Sequence, residues 1–349
     1  MKVLYISKTR LDYSLNSVYI RGLRENRVMV ETLHVPSGSL GGYFKALNFY
    51  REHGSGSDYV FIGFDSPLLA IFLRPFCRKK MVYVAFRSLY EGLIISRKLA
   101  SPFSVKAVYY WLLDLVAVHL ADLTVVESDN QAGYFKKLFK VPGKKIFKNW
   151  IGVNDENFFY DPGIKKHDTF TVLFRGALQP ETGAEYVVQA AKLLEGKDIQ
   201  FVMHVGGQLK GELKNLIDEL RPDNVESLIS FLPAEELRKL MSRCHVSLGQ
   251  LSNHERLERT VPHKAYESLA MKLPYLTASN TGILELVHDG ETCLTCKPAD
   301  AESLADKIMW IKNNYSTAEK IAENGYQLYQ SQLRPHILVR NLLDRIKQL

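Results

Sequence analysis

TVPHKAYESLAMKLPYLTASNTGILE, residues 260–285, reads as a helix, a turn, a short buried strand, a turn and the start of another helix. Pro262 suits the first turn of a helix, where its missing N–H would have no intrahelical partner, and Thr260 stands ahead of it as a candidate cap. Ala265, Leu269 and Ala270 recur at helical spacing beside Tyr266 and give one apolar face. Lys264 and Glu267 are three apart and share a side of that helix. Pro274 is expected to end it, 275–278 is a short strand, and Asn280-Thr281-Gly282 turns into the next helix with Glu285 just inside. Two helix N-termini and a strand end therefore converge. Such a place offers unpaired N–H groups and positive dipole ends to an anion, most often a phosphate.

Outward from this stretch, strands alternate with helices in both directions. Ahead of it lie strands at 170–174, 199–205, 228–231 and 245–248, with helices at 182–194, 211–220 and 235–242 between them. Behind it a strand at 292–297 is followed by helices at 300–313, 317–328 and, basic and amphipathic, 336–349. The first half repeats the plan, with strands at 2–7, 28–34, 59–63, 80–86, 123–126 and 145–148. Helices are expected from 18, over 44–51, 68–73 and 131–139, and as a long apolar-aromatic stretch over 103–120; residues 38–42 read as a flexible turn. Near-continuous apolar strands alternating with helices argue doubly wound parallel sheets. The polar segment 149–162 has the features of a crossing between domains. The expected domains are 1–155 and 156–330, with 331–349 packing back on the first. Strand C-termini facing a shared cleft would hold a ligand between them.

At 349 residues the chain has room for two cores, and its 46% apolar and 24% charged composition is that of a globular protein. No apolar run approaches the ~20 residues of a membrane span, and the N-terminal run is too short for a secretory signal. Cys77, Cys244, Cys293 and Cys296 form no disulfide framework, which fits a reducing cytoplasm. The single CxxC, Cys293 to Cys296, lacks the second cluster that zinc needs and falls on a strand, not at a helix start where redox pairs sit. Residues 1–150 carry 22 Lys/Arg against 11 Asp/Glu, whereas the remainder carries 23 against 27. The first half is thus suited to an anionic partner such as a membrane surface, a lipid phosphate or nucleic acid, or simply presents a solvated basic face.

Five places can carry chemistry. Arg175, at a strand end, can clamp a phosphate, and Gly176 beside it lets backbone approach a ligand. Gly206 and Gly207 follow another strand, and Leu232, in the Phe231-Leu232-Pro233 loop, offers backbone to a base edge. Lys264 supplies charge for phosphate oxygens, and Glu267 can accept two hydrogen bonds from a ribose diol; the plain alternative for that pair is a surface salt bridge. Thr281, Gly282 and Glu285 make the fifth. There is no G-x-x-x-x-G-K-[ST] loop and no G-x-G-x-x-G after the first strand, which disfavours kinase and nicotinamide chemistry. There is no Asp-x-Asp pair, so no metal and no cofactor is expected beyond the substrate itself.

Taken in order, these motifs resemble the retaining glycosyltransferases of the GT-B fold, family 4. The resemblance covers most of the chain and rests on Gly176-Ala177-Leu178 with Gly183, Val205-Gly206-Gly207, Phe231-Leu232, Pro262-His263-Lys264-Ala265-Tyr266-Glu267, Ala270, Pro274, Gly282, Glu285 and Asp289-Gly290. In the first half 121–128 and Asn149, Gly152, Val153, Asn154 and Phe158 match as well. The resemblance implies two Rossmann-like domains facing a central cleft, the second holding a nucleotide-diphosphate sugar and the first a glycan, lipid-linked or small-molecule acceptor. It implies a hexosyl-type transfer with Arg175 and Lys264 neutralising the leaving diphosphate, Glu267 on the ribose, and backbone around Thr260, Pro262 and His263 assisting. It also implies a cytoplasmic enzyme, with room for peripheral contact with an anionic membrane face and no nucleic acid partner. The chain departs from the family pattern at Arg259, where many members carry Glu, at Thr182, where many carry Lys, and in the loop 7–16, where many carry paired glycines; no first-domain His is placed on the sugar. The alternatives are a nucleotide-sugar epimerase of the same fold, and an inactive or basic binding protein. Within 109–120, most aromatics are expected in the core.

Overall fold

The computed structural model describes residues 1–36, 40–230 and 232–349 and divides them into two compact units: 1–154 with 332–349, and 155–331. The first unit runs β1 (Lys2–Ser7), α1 (Ser14–Glu25), β2 (Met29–His34), α2 (Leu40–His53), β3 (Tyr59–Ile62), α3 (Pro67–Leu73), β4 (Lys80–Phe86), α4 (Val105–Leu120), β5 (Leu123–Val126), α5 (Asp129–Phe139) and β6 (Ile146–Lys148). Its six parallel strands lie in the order β2-β1-β3-β4-β5-β6. The strands read as apolar runs because helices cover the sheet, and Leu4, Ile6, Val60, Ile62, Met81 and Val126 all lie in one core.

The second unit runs β7 (Phe170–Leu178), α6 (Ala184–Leu193), β8 (Ile199–Gly207), α7 (Lys210–Leu220), β9 (Val225–Leu228), α8 (Ala234–Arg243), β10 (Val246–Leu248), α9 (His263–Ala270), β11 (Tyr275–Ala278), α10 (Thr281–Leu284), β12 (Leu294–Cys296), α11 (Ala301–Asn313) and α12 (Tyr315–Leu328). Its order is β12-β11-β10-β7-β8-β9, again all parallel. The last helix, α13 (Pro335–Ile346), belongs to the first unit. Its Pro335 backbone runs so close to Gly22 of α1 that a Cβ there would stand 2.3 Å from the Pro335 carbonyl oxygen.

Several elements differ from the sequence reading. β7 and β8 continue past residues 174 and 205, so Gly176, Ala177 and Leu178 pair with Val205, Gly206 and Gly207 inside the sheet and do not form turns. The strand expected at 228–231 lies at Val225–Leu228, and Phe231 falls outside the described residues. α2 begins at Leu40, so Gly41 and Gly42 are helical; the rest of the turn expected over 38–42 also lies outside the described residues. Residues 90–96 form a π-helical turn with no counterpart in the sequence reading. In α4 the expected core placement of the aromatics holds only in part, for Trp111, which packs half-buried against the first unit's core. Tyr109 is exposed, and Tyr110 and Trp111 are half-buried, because Ala107, Leu113, Ala117 and Val118 supply the face that meets the sheet.

Candidate functional site in the second unit

The decisive stretch folds as helix, strand and helix, with different ends. The cap of α9 is Pro262, not Thr260, and no side chain closes the helix start. The Thr260 hydroxyl is buried and, among the described residues, makes no hydrogen bond. α9 stops at Ala270, well before Pro274, because Lys272 turns into the left-handed region at φ 53°. α10 begins at Thr281, whose hydroxyl donates to the Glu258 carbonyl at 3.1 Å. A Cβ on Gly282 would lie 2.6 Å from the Leu257 carbonyl oxygen and 2.7 Å from the Thr260 backbone nitrogen, so the two helix starts meet through that glycine. Gly282→Ala is therefore expected to push the 257–260 backbone away, lowering stability by about 1–3 kcal/mol; a denaturant midpoint equal to wild type would show that the approach is not needed.

Every residue of α9 from Lys264 to Ala270 is buried, the charged ones included. The Arg175 guanidinium reaches across from β7 and pairs with Glu267, Nη1 to Oε2, at 2.5 Å. His263, one turn before Glu267, places Nδ1 3.3 Å from the other carboxylate oxygen. Lys264 points the other way: its Nζ donates to the Gly249 carbonyl at 3.4 Å and stands 4.0 Å from the centre of the Phe174 ring. The surface salt bridge between Lys264 and Glu267 is thus not formed. Gly176 sits above them in the positive-φ region at 113°, with Lys264 Cε 3.4 Å from where a Cβ would be, and Gly207 takes φ 119° at the end of the neighbouring strand.

Burial alone would push the Glu267 carboxyl up, but Arg175, the His263 hydrogen bond and the His263 charge hold it down at about 2. Burial, reinforced by the Arg175 charge, drops the Lys264 ammonium to about 7 despite the opposing Glu267. The Glu267 carboxylate is therefore paired with Arg175, and a second buried cation, Lys264, stands without a carboxylate of its own. Moreover, Arg175 Nε and Nη2 are buried and find no hydrogen-bond acceptor among the described residues. Unpaired guanidinium donors beside a depressed ammonium make a place that an anion would complete.

Residues not anticipated from the sequence support this arrangement. Glu181, buried ahead of α6, pairs with Arg256. Its carbonyl accepts from the Ser252 hydroxyl at 2.9 Å, and the Ser252 carbonyl accepts from Asn280 Nδ2 at 3.1 Å, tying the β10 loop to the start of α10. The spacing of His263 and Glu267 was readable as an i,i+4 pair; nothing local pointed to Phe174 or Gly249. Of the remaining expected residues, Leu232 lies in the loop between β9 and α8 and Glu285 just past α10, half-buried. Among the described residues, no three His, Cys, Asp or Glu side chains are grouped so as to hold a metal ion.

Residues 156–328, almost the whole second unit, match the family model of the glycosyl transferases group 1. The amylovoran biosynthesis glycosyltransferase AmsK of Erwinia amylovora is 20% identical over 60% of this chain and 52% of its own length. The 2-deoxystreptamine N-acetyl-D-glucosaminyltransferase of Niallia circulans is 25% identical over 66% of this chain and 61% of its own. The chain thus spans between half and two thirds of the length of these curated relatives. Among solved structures, Anabaena HepE in complex with UDP-glucose superposes with a TM-score of 0.74 at 17% identity, over 100% of both chains. The fold is the two-sheet GT-B architecture, and through residues 156–328 the chain belongs to the glycosyl transferases group 1 family.

Proposed function

We propose that this chain is a retaining glycosyltransferase that moves a hexosyl unit from a nucleotide-diphosphate sugar to a glycan acceptor, in the compartment where such donors are made, the cytoplasm. The observation that carries this reading is the buried trio Arg175, Lys264 and Glu267, with two guanidinium donors unpaired. When a glycosidic bond to a diphosphate breaks through an oxocarbenium-like state, the leaving group gathers negative charge. Arg175 and Lys264 are suited to meet that charge, and Glu267, fixed as a carboxylate, to accept hydrogen bonds from the ribose hydroxyls. The backbone of Thr260 and His263 at the start of α9, with Pro262 fixing the turn between them, and of Thr281 and Gly282, adds N–H donors. Gly176, Gly206, Gly207 and Leu232 border the donor, and Glu285 closes the set. The leaving phosphate takes the acceptor proton on the same face, so the sugar keeps its anomeric configuration. The relative that acts in amylovoran biosynthesis supports a polysaccharide acceptor, and the neighbour solved with UDP-glucose supports a uridine nucleotide.

A thermal-shift panel of nucleoside diphosphates and their sugars tests this directly. One nucleotide family is expected to stabilise the protein by about 3 kcal/mol at a hundredfold excess over its Kd. A flat response across the panel would remove the donor reading. Stabilisation followed by isomerisation of the donor sugar without transfer would instead establish the epimerase alternative, and an inverted product anomer by NMR would overturn retention.

A further inference from the structure

We infer that the outward face of α4 docks on an anionic lipid bilayer, lying in the headgroup region. Val105, Val108, Tyr109, Leu112 and Val116 recur at i, i+3, i+4, i+7 and i+11, and all are exposed. The opposite side of the same helix is already used, since Ala107, Leu113, Ala117 and Val118 are buried in the first unit. A helix apolar on both sides is ordinarily buried on both, so the outer stripe is unaccounted for by the fold. The stripe extends past the helix start to Phe103, 97% exposed, beside Val105 at 88%.

Charge decides the occupant. Between residues 92 and 121 the only acidic residue is Asp114, and it is 2% exposed, accepting from the Tyr90 backbone N–H at 2.8 Å. Arg97, Lys98 and Lys106 lie along the same stretch, with Lys98 and Lys106 exposed. Along residues 92–121 the exposed side chains are therefore mostly apolar, aromatic or cationic, with no exposed carboxylate among them. That is the pattern of a helix held in an interface by buried side chains and by anionic headgroups together. The whole first unit holds 26 Lys/Arg against 12 Asp/Glu, so a second copy meeting this face would bring like charge to like. With three cations among six large apolar groups, apolar burial dominates, which fits a bilayer better than nucleic acid. The helix has 16 residues, short of a span, and no helix among the described residues is long and apolar enough to cross a membrane.

The test is flotation of the full chain with vesicles of phosphatidylglycerol and phosphatidylcholine in equal parts, against vesicles of phosphatidylcholine alone. Binding is expected on the anionic vesicles, weakening with salt. The double variant Phe103→Ser/Leu112→Ser is expected to lose binding about tenfold or more, through lost apolar burial. Lys98→Gln/Lys106→Gln is expected to lose about thirtyfold on anionic vesicles, with little change on neutral ones. None of these side chains lies in the second unit, so the nucleotide-induced thermal shift is expected to persist in both variants, which separates a docking defect from misfolding. Absence of wild-type binding overturns the inference. So does binding that survives the apolar substitutions, or an apolar variant whose main change is loss of a concentration-dependent dimer. RNA or DNA that binds as tightly as the anionic vesicles and competes with them would overturn it as well.

Discussion

Glu267→Ala is expected to lower stability at neutral pH by about 3–5 kcal/mol and to abolish measurable donor saturation. The size follows from what remains behind. With Glu267 gone, Arg175 keeps its buried guanidinium with no carboxylate, and Lys264 loses the one negative group that supports its charged form. Removing one partner of a buried pair leaves the other charge uncompensated, which is why the loss exceeds that of a surface pair several-fold. Glu267→Gln keeps the shape and one acceptor oxygen, so it is expected to retain more stability than the alanine variant while losing most donor affinity. The pH dependence has a definite sign. The folded carboxyl sits at about 2 against 4.5 in the unfolded chain, so its stabilisation is complete above pH ~4.5 and drains away as pH falls toward ~2. Denaturation measured at pH 7 and pH 3 should therefore show wild type and Glu267→Gln converging in acid. The double variant Arg175→Met/Glu267→Leu, which removes the pair together, is expected to recover much of the stability and none of the activity. Wild-type stability and an unchanged donor KM in Glu267→Ala would move the ribose elsewhere.

This pair marks the limit of what the sequence discloses. The parallel sheets were legible because strands covered on both faces are written as apolar runs, as in Leu4 to Ile6 or Leu123 to Val126. Helix existence was legible instead from apolar residues recurring at helical spacing. What failed were the ends. Arg175, Gly176, Gly206 and Gly207 look like turn residues, yet β7 and β8 pair through them, because a neighbouring strand in register outweighs weak local preference. Pro274 looked like the stop of α9, but Lys272 in the left-handed region ends it earlier. The candidate site was legible as a list of residues at C-terminal strand ends. Its wiring was not: Lys264 and Glu267 share a helical side by spacing, but each turns to a partner from another strand or loop, and no local pattern encodes an ion pair between β7 and α9. The helix α4 was itself legible over 103–120, but not which side it buries, since apolar residues on both of its faces leave periodicity nothing to separate.

Lys264→Met is expected to make the protein more stable and far less active. The ammonium has a folded pKa of about 7 against 10.5 unfolded, pushed down by burial and by Arg175. Between those values the unfolded chain holds a proton that the folded one has released, so wild-type stability rises with pH through that window, and the burden is fully present below pH ~7. Methionine fills the stem's space over Phe174 without the charge, so its stabilisation should be largest at pH ~6 and should shrink toward pH ~10. Turnover, by contrast, is expected to fall about 10²–10³-fold, the loss typical of removing one preorganised group from a developing anion. The same titration predicts a proton taken up on binding. A diphosphate beside Nζ favours the charged lysine, so donor binding at pH 7 should draw in about half a proton, and close to one at pH 8. Calorimetry in buffers of different ionisation heat measures this, using the sugar nucleotide because its bridged diphosphate does not itself ionise near neutrality. Affinity should then decline above pH 7 by up to about tenfold per unit, and the decline should vanish in Lys264→Met. Binding without proton uptake, with the same affinity at pH 7 and pH 9, would mean that the donor phosphates do not rest against Lys264, and the assignment of this buried trio as the donor site would go with it.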